Sequence, residues 1–121
     1  MKKKILIVED EIIAAMFLRQ ILELWGYEVC ELTTSGEDAI KKAKIEKPDL
    51  VLMDIYIHGK LRGIEAARKI RSQGGIPIIF MTGYSDEDTR QTALAEHPAG
   101  YFIKPLNYDA LKETLKSILP L

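Results

Sequence analysis

Five short apolar runs of strand character alternate along this chain with five segments of helical period, and no internal repeat or low-complexity stretch interrupts them. That alternation limits the fold more than any other feature. A strand followed by a helix and then another strand is a crossover unit, and crossovers in series build a parallel sheet with helices on its faces. The expected class is therefore α/β. With 121 residues the chain is expected to form one domain that buries roughly two thirds of its unfolded surface.

The first strand reads Lys4-Ile5-Leu6-Ile7-Val8 and ends at Glu9-Asp10. A helix is expected from about Glu11, with Ile13, Phe17, Ile21 and Leu24 as its inward stripe and Gly26 as its stop. Residues 28–32 form a second, less hydrophobic strand suited to a sheet edge. Ser35, with Asp38 three residues on, resembles a capping box for a helix with Ala39, Ile40 and Ala43 inward. Its Lys41, Lys42, Lys44, Glu46 and Lys47 read as a solvated face rather than a basic binding patch.

Pro48 precedes the third strand, Leu50-Val51-Leu52-Met53-Asp54, whose unbroken apolar content fits a strand buried on both faces. The loop over 55–63 carries Gly59 and Gly63, and the next helix has Ile64, Ala67 and Ile70 on one side and stops at Gly74-Gly75. The fourth strand covers 76–81, with Pro77 tolerated near its start, and ends at Thr82-Gly83. Ser85 is expected to cap a helix whose first turn holds Asp86, Glu87 and Asp88, and His97-Pro98-Ala99-Gly100 breaks it. The last strand, Tyr101-Phe102-Ile103, delivers Lys104-Pro105, and Asn107 caps a final helix with Leu111, Leu115 and Ile118 inward.

In a parallel sheet all strands point one way, so the residues just past them gather along one rim, where ligands of open α/β sheets bind. That rim receives Glu9, Asp10, Asp54, Thr82 and Lys104. Three carboxylates brought together repel one another, and a hard divalent cation with oxygen preference relieves the conflict. Mg²⁺, or Mn²⁺ in its place, suits such a site because it also accepts phosphate oxygens. A lysine supplies a compact positive charge for a phosphoryl oxygen, and a threonine hydroxyl can donate to another. The set describes phosphoryl transfer, with Asp54 as a nucleophile that forms an acyl phosphate and, being already ionised, needs no separate base. Singly each residue has a plainer reading: Glu9-Asp10 as a helix opening, Asp54 and Thr82 as turn residues, Lys104 as a surface lysine.

Ile5-Leu6-Ile7-Val8-Glu9-Asp10-Glu11, Val51-Leu52-Met53-Asp54, Gly63-Ile64-Glu65-Ala66-Ala67, Pro77-Ile78-Ile79-Phe80-Met81-Thr82-Gly83 and Gly100-Tyr101-Phe102-Ile103-Lys104-Pro105, in that order and spacing, resemble the response-regulator receiver domain of two-component signalling. The resemblance spans essentially the whole chain, which reads as one receiver over 1–121 similar to a single chemotaxis-type regulator. It implies a doubly wound, five-stranded parallel sheet in order 2-1-3-4-5, a flavodoxin-like three-layer sandwich. It further implies a phosphoryl group received on Asp54 from a sensor histidine kinase or phosphotransfer protein, and an output protein or domain that reads the result. By the same resemblance Asp10 binds Mg²⁺ directly, Glu9 through water, and Asp54 and the backbone carbonyl of Tyr56 complete the protein ligands. Lys104 and Thr82 contact the phosphoryl oxygens, the Lys104-Pro105 bond is cis, and Tyr101 is the switch aromatic that moves with Thr82. The plainer reading of Tyr101 is an aromatic strand residue covering the sheet.

The loop after Asp54 departs from the family's usual pattern. Ile57-His58 stands where many receivers have Met-Pro, Arg62 precedes the glycine, and Gly63 comes nine residues after the acceptor, so the loop is one residue longer. His58 could ligate a metal or sense pH, but alone it reads as a solvent-exposed loop residue. Tyr56 and Tyr84 each follow a site residue by two positions, Asp54 and Thr82 respectively. Their rings are expected either to crowd the approach of water to the acyl phosphate and lengthen its lifetime, or simply to be partly buried loop tyrosines.

Apolar residues make up 47% and charged residues 29%, with net charge -1, so nothing global favours nucleic acid or a membrane surface. Lys2-Lys3-Lys4 is followed by too short an apolar run for a signal peptide or a span, and a cytoplasmic location is inferred. The single Cys30 has no partner for a disulfide and no zinc pattern, and reads as a small apolar strand residue. A haloacid-dehalogenase-like enzyme would need a second acid two residues past the nucleophile, where Tyr56 stands. A nucleotide or flavin module would need a Gly- or Ser/Thr-rich loop where Glu9-Asp10-Glu11 stands. The expectation is a phospho-acceptor that acts only on itself, not an enzyme with an external substrate; the alternative is a non-phosphorylated pseudo-receiver that only binds proteins. No output segment follows the last helix, so the chain reads as a stand-alone receiver or one cut from a larger regulator.

Overall fold

A computed structural model describes residues 2–57 and 62–121. Among these, strands β1 (Lys4–Val8), β2 (Glu28–Val29), β3 (Leu50–Asp54), β4 (Ile78–Thr82) and β5 (Gly100–Ile103) alternate with helices α1 (Ile12–Leu24), α2 (Gly36–Glu46), α3 (Gly63–Gly74), α4 (Glu87–Leu94) and α5 (Tyr108–Ile118). All pairings are parallel and the strand order is β2-β1-β3-β4-β5, the flavodoxin-like doubly wound arrangement. The order reverses between β1 and β3, and that switch point is where such sheets open a crevice at the carboxyl ends of their strands.

Side chains alternate across the sheet and so divide the core in two. Leu6, Val8, Val51, Met53, Ile78 and Phe80 pack with Ala39 and Ala43 of α2, Ala66, Ala67 and Ile70 of α3, and Ala93 of α4. Ile5, Ile7, Leu50, Leu52, Ile79 and Met81 pack on the other face with Ala15, Leu18 and Leu22 of α1 and Leu111 and Leu115 of α5. Every residue of β3 and β4 is buried, as the unbroken apolar run ending at Asp54 predicts. Cys30 is buried and its N–H donates to the Ile5 carbonyl (3.0 Å), continuing the ladder beyond β2. No described helix is long and apolar enough to cross a membrane.

Several local expectations are corrected. The inward stripe of α1 is Ala15, Leu18 and Leu22, whereas Ile13, Phe17 and Leu24 are 79%, 53% and 84% exposed. The helix is apolar on more than one face, so its period alone does not select the buried one, and small Ala15 lets it lie close to the sheet. β2 is only two residues long, and β4 begins at Ile78 rather than at 76. Asp86, not Ser85, caps α4, accepting a hydrogen bond from the Thr89 N–H (2.7 Å). Ser35 and Asn107 cap α2 and α5 as expected. His58 and Gly59 lie outside the described residues.

Candidate functional site

The register that pairs Val8 with Met53 carries the next residue of each strand, Glu9 and Asp54, to the same rim. Glu9 is still held by the sheet, because its N–H donates to the Thr33 carbonyl (2.9 Å) beside an isolated bridge between Val8 and Thr33. On the other side, pairing of Thr82 with Ile103 delivers Lys104, whose N–H donates to the Thr82 carbonyl (2.7 Å). The Lys104-Pro105 bond is cis, as the resemblance implies. Glu9, Asp54 and Thr82 are buried polar side chains at 2%, 5% and 0% exposure, and Asp10 is half-buried.

Carboxylate oxygens of Glu9, Asp10 and Asp54 lie within 4.8 Å of one another. Lys104 reaches between two of them, its Nζ 2.7 Å from Glu9 Oε1 and 2.9 Å from Asp54 Oδ2. Asp54 Oδ1 accepts the Tyr56 backbone N–H (3.0 Å). Glu9 Oε2 is buried with no hydrogen-bond partner among the described residues. Burial, followed by its contact with Asp54, pushes the Glu9 carboxyl up to about 8. Burial acts on Asp54 in the same direction, but its contact with Glu9 and the hydrogen bonds from Lys104 and the Tyr56 N–H outweigh it and hold Asp54 below the usual carboxylate range. Burial works against the Lys104 ammonium, yet Glu9 and Asp54 overcome it and raise its affinity for the proton. The two neighbouring carboxyls are thus pushed in opposite directions, Glu9 toward its protonated form and Asp54 toward its ionised form.

The donor set fits a hard divalent cation. Three carboxyl groups converge, all donors are oxygens, and the orphaned Glu9 Oε2 is a buried acceptor that costs free energy unless something coordinates or protonates it. A cavity of about 290 Å³ opens onto this group, lined by Asp10, Asp54, Lys104, Tyr56, Gly83 and Tyr84. Glu11, read from sequence only as the start of a helix, lines it as well. Both tyrosines therefore stand at the mouth, edge to face with centroids 6.2 Å apart, and Tyr84 is 65% exposed.

The Thr82 hydroxyl is turned into its own turn: Oγ1 donates to the Tyr84 carbonyl (2.5 Å) and accepts the Tyr84 N–H (3.2 Å). Tyr101 is half-buried against the core face shared with α2 and α3, with its hydroxyl 2.5 Å from Ser85 Oγ. The sequence reading missed this Ser85 contact, as it missed Thr33 beneath Glu9 and Thr89 beside Tyr56. None carries a spacing signal, and each is found only once the strands are in register.

Over residues 5–116 the chain matches the family model described as the response regulator receiver domain. The chain belongs to that family. This receiver is 39% identical over 116 residues to the transcriptional regulatory protein ZraR of Klebsiella oxytoca, covering 95% of this chain but only 26% of ZraR. It superposes with TM-score 0.91 and 37% identity on the signal receiver domain of a modulated diguanylate cyclase from Desulfovibrio desulfuricans G20, covering 98% of this chain and 94% of that one. It is also similar, with TM-score 0.84, 29% identity and 97% of both chains covered, to the receiver domain of the sensor histidine kinase PA1611 from Pseudomonas aeruginosa PAO1. In that structure a magnesium ion is coordinated in the active site cleft. Of the rim residues expected at the strand ends, Asp10, Asp54 and Lys104 line this cavity, Glu9 is hydrogen-bonded to Lys104, and Thr82 has its hydroxyl bonded to Tyr84.

Proposed function

We propose that this receiver is a phosphorylation-dependent switch that takes a phosphoryl group from a phosphohistidine of a histidine kinase or phosphotransfer protein. An Asp54 carboxylate oxygen forms a bond to phosphorus as the phosphorus–nitrogen bond breaks, and the electron pair of that bond leaves on the imidazole. The observation that carries the reading is the convergence of the Glu9, Asp10 and Asp54 carboxyls within 4.8 Å, with Lys104 Nζ 2.9 Å from Asp54 Oδ2. Asp10, Asp54, Glu9 and the backbone carbonyl of Tyr56 would hold Mg²⁺, which when bound supplies positive charge to the phosphoryl oxygens. Lys104 transfers its hydrogen bond from the free carboxylate to a phosphoryl oxygen, and Thr82 exchanges the Tyr84 carbonyl for another. Release of that turn lets Tyr101 repack, so phosphate favours one of two packings through contacts the other does not make. The altered surface is read by an output protein or domain.

Incubation with acetyl phosphate and Mg²⁺ followed by intact-mass measurement tests this. One phosphoryl adduct is expected, absent in Asp54→Asn and without metal. An unmodified wild-type chain would instead support a pseudo-receiver that only binds proteins.

A further inference from the structure

Tyr56 is tied down at both ends, and only one of those ties belongs to the acceptor. Its backbone N–H is spent on Asp54 Oδ1, while its phenol oxygen lies 2.8 Å from Thr89 Oγ1 in the first turn of α4, where either hydroxyl can donate. Thr89 is itself fixed, because its backbone N–H donates to the capping Asp86 carboxylate. The ring between these ties meets Tyr84 edge to face and carries the Arg62 guanidinium 5.8 Å from its centroid. Tyr84 in turn is the residue whose main chain holds the Thr82 hydroxyl. The ring at the mouth of the acceptor cavity is therefore anchored on a helix that contributes no group to the chemistry.

We propose that Thr89 is a positioning residue: by bonding the Tyr56 phenol it holds that ring across the path of water to Asp54, and so couples the lifetime of the phosphorylated state to the position of α4. The inference rests on the phospho-acceptor reading. A free-energy coupling between two sites is reciprocal, so a partner that displaces the first turn of α4 changes phosphate release, and phosphorylation changes how tightly that partner binds.

The test loads wild type, Thr89→Val, Thr89→Ser, Tyr56→Phe and the Tyr56→Phe/Thr89→Val double variant with acetyl phosphate and Mg²⁺, removes the donor, and follows loss of the adduct by intact mass. Thr89→Val leaves the cap intact, since the cap uses the backbone N–H. Thr89→Val and Tyr56→Phe are each expected to speed release roughly two- to tenfold, the range that one neutral hydrogen bond allows. The double variant should be no faster than the faster single one, and Thr89→Ser should keep the wild-type rate. Release at the wild-type rate in Thr89→Val, equal rates in the Val and Ser variants, or fully additive effects would each overturn the proposal. A wild type that takes up no phosphoryl group overturns the acceptor reading and this inference with it; a wild type that loads while all variants release alike overturns the inference alone.

Discussion

At the scale of single residues, Glu9 and Asp54 carry the same functional group, are buried to nearly the same degree and share one lysine, yet their proton affinities are pushed in opposite directions, Glu9 up and Asp54 down. The difference lies in donors. Asp54 receives the Tyr56 N–H in addition to Lys104, whereas one Glu9 oxygen has no partner among the described residues. The carboxylates, the lysine and the threonine were legible in sequence because strand ends deliver them. The direction in which the Thr82 hydroxyl points was not, since it depends on the turn that brings the Tyr84 carbonyl within reach. Tyr56 and Tyr84 both line the cavity at Asp54, and whether they screen an acyl phosphate there or are simply loop tyrosines is decided by kinetics. Replacing them in a Tyr56→Asn/Tyr84→Glu double variant removes both rings and adds a carboxylate able to orient water. Release of phosphate, followed from the loaded protein, should be roughly tenfold faster or more. Equal or slower release would show that the rings do not limit access of water.

At the scale of elements, the site depends on how closely α3 approaches the end of β3. A Cβ on Gly63 would lie 2.2 Å from the Asp54 carbonyl oxygen and 2.7 Å from Ile55 Cα, both backbone atoms that move only at a cost. The Gly63 N–H donates to the Ile55 carbonyl (2.9 Å), so the start of α3 is tied to the residue that follows Asp54. In sequence Gly63 opens one of the motifs that carry the family resemblance, one residue later than the usual spacing; its necessity appears once the helix end is seen against the strand. Gly63→Ala should cost about 1–3 kcal/mol, read as a lower urea midpoint with unchanged slope. It should also slow phosphorylation by acetyl phosphate, because the nearest relief shifts the backbone that carries Asp54. Wild-type stability in that variant would show that the start of α3 yields without cost. The α1 face teaches the converse: apolar residues on several faces make the period ambiguous, and burial is decided by which small residue allows contact.

At the scale of the whole molecule, strand alternation alone predicted the layers, because a parallel sheet needs helical crossovers and buries its central strands on both sides. What it could not predict is the free energy stored where those strands end. Glu9 has an ordinary value of 4.5 that burial raises to about 8 in the folded chain. The native state therefore holds this proton more tightly than the unfolded state, and stability falls as pH rises through the interval between those values. Asp54 acts in the opposite sense in acid, contributing stability that is lost as pH falls below the ordinary carboxylate range, and Lys104 contributes stability lost only in strong base. Between about pH 5 and 8 Glu9 governs, so the metal-free protein should melt at progressively lower temperature across that window, and Glu9→Gln should flatten the slope. Binding of a divalent cation requires the ionised carboxylate, so the rise in melting temperature on adding Mg²⁺ should be larger at pH 8 than at pH 5. A slope that persists in Glu9→Gln, or a Mg²⁺ effect independent of pH, would show that this proton is held elsewhere.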